Sequence, residues 1–366
     1  MKTKVLFIMH LPPPVHGAAV VGKNIFESKV INDKFDCSYI NLSASSEVKE
    51  IGKLGLSKVK FLFYNIWDVY KTVKKEKPKL CYVTPSSWDW GFYRDFVLIM
   101  ILKFCKCKIV VHFHNKGVES WAQKPVNRFL YTQFFKNIKV ILLAEELYSE
   151  KKQYVNRSDL FICPNGIKQT LDIQTVTKVT ELIAPRFLFL SNMMEEKGVW
   201  VLLEACKILR DKGHVFKCDF VGRWVDISES EFYRKVKDYA LENFIEAHGP
   251  QYGDEKNKFF ENATVFVFPT FYHGETFGLV LLEAMEYGLP CVSTTEGGIP
   301  SVVQDGITGL LVEPTNFEAL SEKMIELIKN PDLQLKMGQA GRERFLQNFT
   351  LEIFENNFTF ILEKCI

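Results

Sequence analysis

Val265-Phe-Val-Phe-Pro-Thr-Phe-Tyr-His-Gly-Glu-Thr-Phe-Gly-Leu-Val-Leu-Leu-Glu-Ala-Met285 runs from an apolar strand, through a polar loop containing glycine, into a helix. Val265–Phe268 is apolar throughout, as a strand covered on both faces must be. Pro269 closes it, and Leu279–Tyr287 carries apolar residues at helical spacing. The same alternation continues outward. Phe187–Leu190, Phe216–Val221, Ile245–His248, Cys291–Thr294 and Leu310–Val312 read as strands, with Val199–Arg210, Glu229–Leu241 and Phe317–Ile328 as helices. Earlier in the chain Val5–Met9, Phe35–Asn41, Leu80–Thr84, Lys108–His114, Val140–Ala144 and Leu160–Cys163 form another series of strands. Helical patterns at Val59–Lys75, Phe92–Cys105 and Val126–Phe135 lie among them. Buried strands alternating with helices predict parallel sheets, and two series predict two doubly wound, Rossmann-like α/β domains.

The boundary is expected within Pro164–Pro185, which holds Pro164-Asn165-Gly166 and a polar run but no apolar strand. After Asn330-Pro331 the chain reads as helix to its end, with a break near Asn348–Thr350. The expected division is 1–165 plus about 350–366 for one domain and 166–349 for the other. A length of 366 residues suits two domains.

The composition, 47% apolar and 25% charged, excludes a disordered chain, a collagen-like repeat and a coiled coil. The net charge of +2 hides a split. Residues 1–165 hold 26 Lys and Arg against 14 Asp and Glu, a balance of +12; the remainder holds 20 against 30, a balance of −10. Nine scattered cysteines form no disulfide framework, and Cys105-x-Cys107 has no second pair to complete a metal site. A reducing cytoplasm is expected. Lys2 and Lys4 precede an apolar run that His10 and Pro12 soon end, which predicts a first strand rather than a signal peptide. Phe96–Leu102 is the longest other apolar run, far short of the ~20 residues of a spanning helix. The protein is expected in the cytoplasm, at most peripheral to a membrane.

Open α/β sheets bind ligands beyond the carboxyl ends of their strands, so the loops there should carry the chemistry. In the opening stretch, Thr276, Phe277 and Gly278 stand where free amides at a helix start attract phosphate. Glu275 lies in the loop and Glu283 in the helix, able to address a sugar and ribose hydroxyls; a solvated glutamate and an ordinary helical one are the plain alternative. In Leu190-Ser-Asn192-Met-Met-Glu-Glu-Lys197-Gly198, Lys197 can neutralise a diphosphate and Gly198 admits a close backbone, although Glu195 and Glu196 can equally pair with the lysine. Gly297-Gly298 is either another amide-bearing loop or a tight turn. His112 and His114, two apart, share a face of their strand. Three or four ligands are needed for zinc and no further cluster accompanies them. His114, at the strand end, can hydrogen-bond a substrate, or be a satisfied core residue. Pro85–Arg94 is an aromatic loop whose Trp88 and Trp90 offer faces for sugar rings, lipid headgroups or simple packing. The sequence lacks G-x-G-x-x-G, a P-loop, G-x-S-x-G and any Asp-x-Asp pair, so NAD, P-loop, hydrolase and dedicated-metal chemistries find no motif.

Taken in order, Lys197-Gly198, Gly222, Gly249, Glu275-x7-Glu283, Gly297-Gly298-Ile-Pro300 and Gly306–Val312 resemble a GT-B-fold retaining glycosyltransferase of family 4. The resemblance spans nearly the whole chain, with Pro164–Ile167 similar to the family's junction and Thr350–Glu363 to its returning helix. It implies two Rossmann-like domains facing a cleft, a nucleotide-diphosphate sugar as donor, a glycan or lipid-linked acceptor in surface polysaccharide assembly, and no cofactor or metal. Lys197 would contact the diphosphate, Glu283 the ribose and Glu275 the transferred sugar, with the Thr276, Phe277, Gly278 and Leu279 amides on sugar or phosphate. Gly17 would approach the diphosphate, His114 the donor sugar, and Gly222 and Arg223 the base. His16, Trp88 and Trp90 are the acceptor candidates. Asn192 stands where the family usually has an arginine. A sugar-nucleotide epimerase and a non-catalytic donor-binding subunit are the alternatives. The +12 segment and a basic, aromatic helix holding Phe61, Phe63, Tyr64, Trp67, Lys74 and Lys75 suggest an anionic membrane surface as partner. No nucleic-acid recognition motif accompanies that charge.

Overall fold

The computed structural model describes residues 2–14, 16–43, 56–171 and 184–366, with side chains 56–64 outside the description. The chain divides into two compact units, Met1–Gly166 with Leu351–Ile366, and Ile167–Thr350.

The first unit holds strands β1 (Thr3–Met9), β2 (Phe35–Asn41), β3 (Leu80–Val83), β4 (Lys108–His112), β5 (Lys139–Leu142) and β6 (Leu160–Ile162). Its helices are α1 (Gly17–Glu27), α2 (Lys29–Lys34), α3 (Leu56–Glu76), α4 (Asp89–Phe104), α5 (Val118–Trp121) and α6 (Pro125–Phe135). All strands are parallel, in the order β2-β1-β3-β4-β5-β6. Period-two alternation sends Val5, Phe7 and Met9 to a core shared with Val21 and Ile25 of α1 and Ile31 of α2. On the opposite face the ring of Phe92 of α4 lies 4.3 Å from that of Tyr131 of α6, tilted against it.

The second unit holds β7 (Arg186–Leu190), β8 (Lys217–Val221), β9 (Ile245–Ala247), β10 (Val265–Phe268), β11 (Cys291–Thr294) and β12 (Gly309–Val312), again all parallel, in the order β12-β11-β10-β7-β8-β9. The helices are α7 (Val199–Asp211), α8 (Glu229–Asp238), α9 (Gly253–Asn262), α10 (Leu279–Glu286), α11 (Ile299–Val302), α12 (Phe317–Lys329) and α13 (Pro331–Asn348). The final helix, α14 (Leu351–Cys365), packs Phe354, Phe358 and Leu362 into the core of the first unit.

The twelve expected strands are present, and the differences are local. The β4 ladder ends at His112, two residues early. Beyond it Asn115 turns the chain, accepting from the Ser87 amide (2.7 Å) and donating to the Pro85 carbonyl (3.2 Å). His114 is therefore in a loop and shares no strand face with His112. The aromatic loop is also shorter than expected: α4 begins at Asp89, so Trp90 to Arg94 are helical. Helix α9 escaped the sequence reading because half of its residues are charged and it buries only Phe260. Phe61, Phe63 and Tyr64 lie outside the described side chains. Among the described residues no helix is long and apolar enough to cross a membrane.

Candidate functional site

In each sheet the strand order reverses once: between β1 and β3, and between β7 and β10. Adjacent loops diverge at such a point and leave a crevice at the carboxyl ends. In the second unit those loops are Ser191–Gly198 and Pro269–Gly278, which carry Lys197 and Glu275.

Lys197 Nζ lies 2.8 Å from Glu275 Oε2, both side chains mostly buried. The ammonium also sits 4.3 Å from the centre of the Tyr272 ring. Burial, then the nearby carboxylates of Glu196 and Glu275, raises the Tyr272 phenol above its ordinary range. The Phe271 amide donates to the Glu196 carbonyl at 2.8 Å, tying one loop to the other. Gly198, at φ +86°, is required because a Cβ there would run into the Pro269 carbonyl. The close approach that this glycine permits is thus to the neighbouring loop. Gly297, at φ +57°, likewise packs against the carbonyl of Glu275, so the Gly297-Gly298 turn supports the glutamate's backbone.

Gly278 caps α10 in a left-handed conformation and Leu279 opens the helix. Thr276 and Phe277 are buried just before it. The first-turn amides of such a helix lack intrahelical acceptors and carry partial positive charge. One turn on, Glu283 Oε1 accepts from Lys256 Nζ of α9 at 2.9 Å. Asn192 is exposed, and its loop is joined to the Gly222-Arg223 loop by the Met193 amide donating to the Arg223 carbonyl (2.8 Å). Arg223 is exposed and Gly222 donates to the Gly249 carbonyl at 2.9 Å.

In the first unit His16 caps α1, its Nδ1 accepting from the Ala19 amide at 3.4 Å. A Cβ added at Gly17 would meet nothing within 4 Å, so the helix start is open to a ligand. The rings of His112 and His114 are 4.1 Å apart, and those of His10 and His16 are 5.8 Å apart. Burial lowers all four histidines: His10 and His112 far below the ordinary value, His114 down to about 3, and His16 less. His114 is therefore neutral near pH 7, fit to hydrogen-bond a hydroxyl rather than to donate a proton as an acid. Trp88 precedes α4 as its N-cap and Trp90 lies in its first turn, and both are exposed.

Four groups were not legible in sequence. Lys256 is one of several lysines in a charged run. Tyr272 reads as a loop aromatic. Lys151 is wholly buried against Glu150 and lies 4.8 Å from the Phe113 ring centre. Glu150 in turn accepts from the Gly117 amide at 2.8 Å, bracing the loop that carries His114. Last, the polar atoms of Asp219, Glu246 and His248 come within 4.8 Å of one another. Arg186 already occupies both carboxylate oxygens of Asp219, and His248 Nε2 is 2.7 Å from one of them. A cation there would have to displace the guanidinium.

Residues 179–344, most of the second unit, match the family described as glycosyl transferases group 1. A putative colanic acid biosynthesis glycosyltransferase of Escherichia coli K12 is 24% identical over 271 residues, 70% of this chain and 64% of the relative. The N-acetyl-alpha-D-glucosaminyl L-malate synthase of Bacillus anthracis is 30% identical over 267 residues, 68% of this chain and 65% of the relative. The chain thus spans just under two thirds of the length of both relatives. Among solved structures, Anabaena HepE in complex with UDP superposes with a TM-score of 0.74 at 14% identity, covering 99% of this chain and all of that one. The fold class is GT-B, with two Rossmann-like units.

Proposed function

We propose, from the group 1 match over residues 179–344, that this chain transfers a sugar from a UDP- or GDP-sugar to an acceptor hydroxyl with retention of configuration. The acceptor is a glycan or lipid-linked glycan of a bacterial surface polysaccharide. The observation that carries the reading is the Lys197–Glu275 pair on the two loops at the switch point of the second sheet, beside the start of α10. The UDP held by Anabaena HepE and the colanic acid assignment of the E. coli relative support the donor and acceptor classes.

In this reading the diphosphate lies across Lys197 and the amides of Thr276 to Leu279, and Glu275 faces the transferred sugar. Glu283 receives the ribose hydroxyls, and the Asn192 and Gly222-Arg223 loops flank the base. The bond from the anomeric carbon to the diphosphate oxygen breaks as the acceptor oxygen bonds on the same face. The departing phosphate takes the acceptor proton. Charge grows on the diphosphate in this step, so fixed amides and an ammonium lower the barrier. No cofactor or metal enters. Gly17 and His114 are assigned to the donor's diphosphate and sugar, and His16, Trp88 and Trp90 to the acceptor.

Thermal unfolding with UDP-, GDP- and ADP-sugars tests the donor. A bound donor at about 100 times its dissociation constant stabilises by about 2.7 kcal/mol. Failure of every nucleotide sugar to raise the melting temperature would overturn the proposal.

A further inference from the structure

Helix α4 is apolar around nearly its whole circumference, a composition that belongs inside a core. Yet only Phe92, Asp95, Leu98, Ile99 and Leu102 are buried. On the outer side Trp90 is 52% exposed, Val97 39% and Phe104 79%. Spaced by seven, these three share one line along the helix. The neighbouring helices extend the surface: Trp67 of α3 is 64% exposed, and Val126 and Phe129 of α6 are 69% and 62% exposed. Lysines follow these apolar side chains in sequence, two of them on the Trp67 face of α3 and one just past the end of α6. Lys71 and Lys74 follow Trp67, and Lys136 follows Phe129; all three are exposed.

We propose that this face of the α3–α4–α6 layer seats on an anionic lipid bilayer. Aromatic and aliphatic side chains enter the boundary between headgroups and acyl chains, while lysine stems reach the phosphates. Charge selects this occupant over a second copy of the chain. The unit carries 27 Lys and Arg against 17 Asp and Glu, a net of +10. The two acids of α3 are spoken for or recessed: Glu76 is tied to Lys4 at 3.1 Å, and Asp68 is half-buried. Helix α6 has no acid at all. Two such faces brought together would set lysine against lysine, whereas an anionic bilayer complements them. Of this surface only Trp90 is also assigned to the acceptor; Trp67, Val97, Phe104, Val126 and Phe129 are not, so substitutions among these five probe the surface apart from the transfer chemistry.

Flotation of the full chain with vesicles tests this. The protein should float with vesicles of equal parts phosphatidylcholine and phosphatidylglycerol, less so in high salt, and not with phosphatidylcholine alone. The double variant Val97→Ser/Phe104→Ser changes only exposed side chains and should keep the wild-type melting temperature and nucleotide-sugar response. It should lose roughly tenfold in bound fraction, as the buried apolar area shrinks. Lys71→Ser/Lys74→Ser should remove much of the salt-sensitive part. Wild-type protein that stays with the buffer, or a Val97→Ser/Phe104→Ser variant that floats like wild type, overturns the proposal. So does light scattering that shows a wild-type dimer and a monomeric variant, which would make the occupant a second copy.

Discussion

Lys197 and Glu275 come from loops 78 positions apart in sequence and meet as an ion pair of 2.8 Å. The pair holds each charge in place before any ligand arrives, and a diphosphate entering the site competes with Glu275 for the ammonium. Lys197→Ala should lower kcat by about 10²–10³, the usual effect of losing one stabilising group at a developing anion, and Glu275→Ala should lower it as well, through the lost contact that orients the transferred sugar. A double-mutant cycle followed by urea unfolding should give a coupling of about 1–2 kcal/mol, because the two groups contact directly. Turnover at the wild-type rate in either single variant would remove these roles.

The architecture was legible because the strands are short apolar runs separated by helical periodicity, and that pattern survives without tertiary context. The placement of Lys197 and Glu275 on loops after strands, and of Glu283 in the helix that follows, was legible because glycines and a helix start mark those segments. What the sequence did not show are contacts between distant segments. The closeness of Gly198 to Pro269 follows from the pairing of β7 with β10, that of Gly297 to Glu275 from the pairing of β10 with β11, and Lys256 reaches Glu283 from helix α9 to helix α10; no local window contains these meetings. Lys151 reads as half of a solvated Lys-Lys pair, and only the packed loop reveals that it is buried on Phe113.

Lys256 Nζ holds Glu283 Oε1 at 2.9 Å, and in the proposed donor site the other carboxylate oxygen receives the ribose hydroxyls. It is a positioning residue in this geometry. Lys256→Met should raise the donor KM roughly tenfold, about 1.4 kcal/mol of lost binding, with kcat changed much less. Lys256→Arg should recover most of the loss. An equal fall in kcat with KM unchanged would place Lys256 in the chemistry instead.

The buried histidines set an acid limit to stability. His10, His112 and His114 are all held below their unfolded value near 6.5, mainly by burial. The folded protein therefore binds fewer protons than the unfolded chain once the pH falls below that value. Stability is full above about pH 7 and is lost progressively as the pH drops through 6.5 toward the folded value of about 3 for His114. Well below pH 6.5 each of the three should cost about 1.4 kcal/mol per pH unit. Urea unfolding between pH 7.5 and about 5 measures the slope. His112→Gln should flatten it by one proton. A slope that is unchanged in the variant would mean that His112 titrates alike in both states.

Glu286, one turn beyond Glu283 on α10, anchors the segment that enters the second unit. It is only 2% exposed and accepts from the Thr170 amide, the Thr170 hydroxyl (3.0 Å) and the Leu171 amide (3.0 Å). Arg342, also buried, donates to the carbonyl of Glu286 and feels its carboxylate as the nearby negative charge. Glu286→Leu leaves the Thr170 and Leu171 donors without this acceptor and removes a carboxylate from beside the guanidinium, at a cost of about 3–5 kcal/mol. Glu286→Gln keeps one acceptor oxygen and should cost less, about 1–2 kcal/mol. The ranking separates hydrogen-bond satisfaction from simple volume, since leucine fills the space nearly as well as glutamine. Neither substitution touches Glu283, so the donor KM should hold in whatever fraction remains folded. A leucine variant that unfolds at the wild-type urea concentration would show that the chain entering at Thr170 finds other partners and that this clamp contributes nothing.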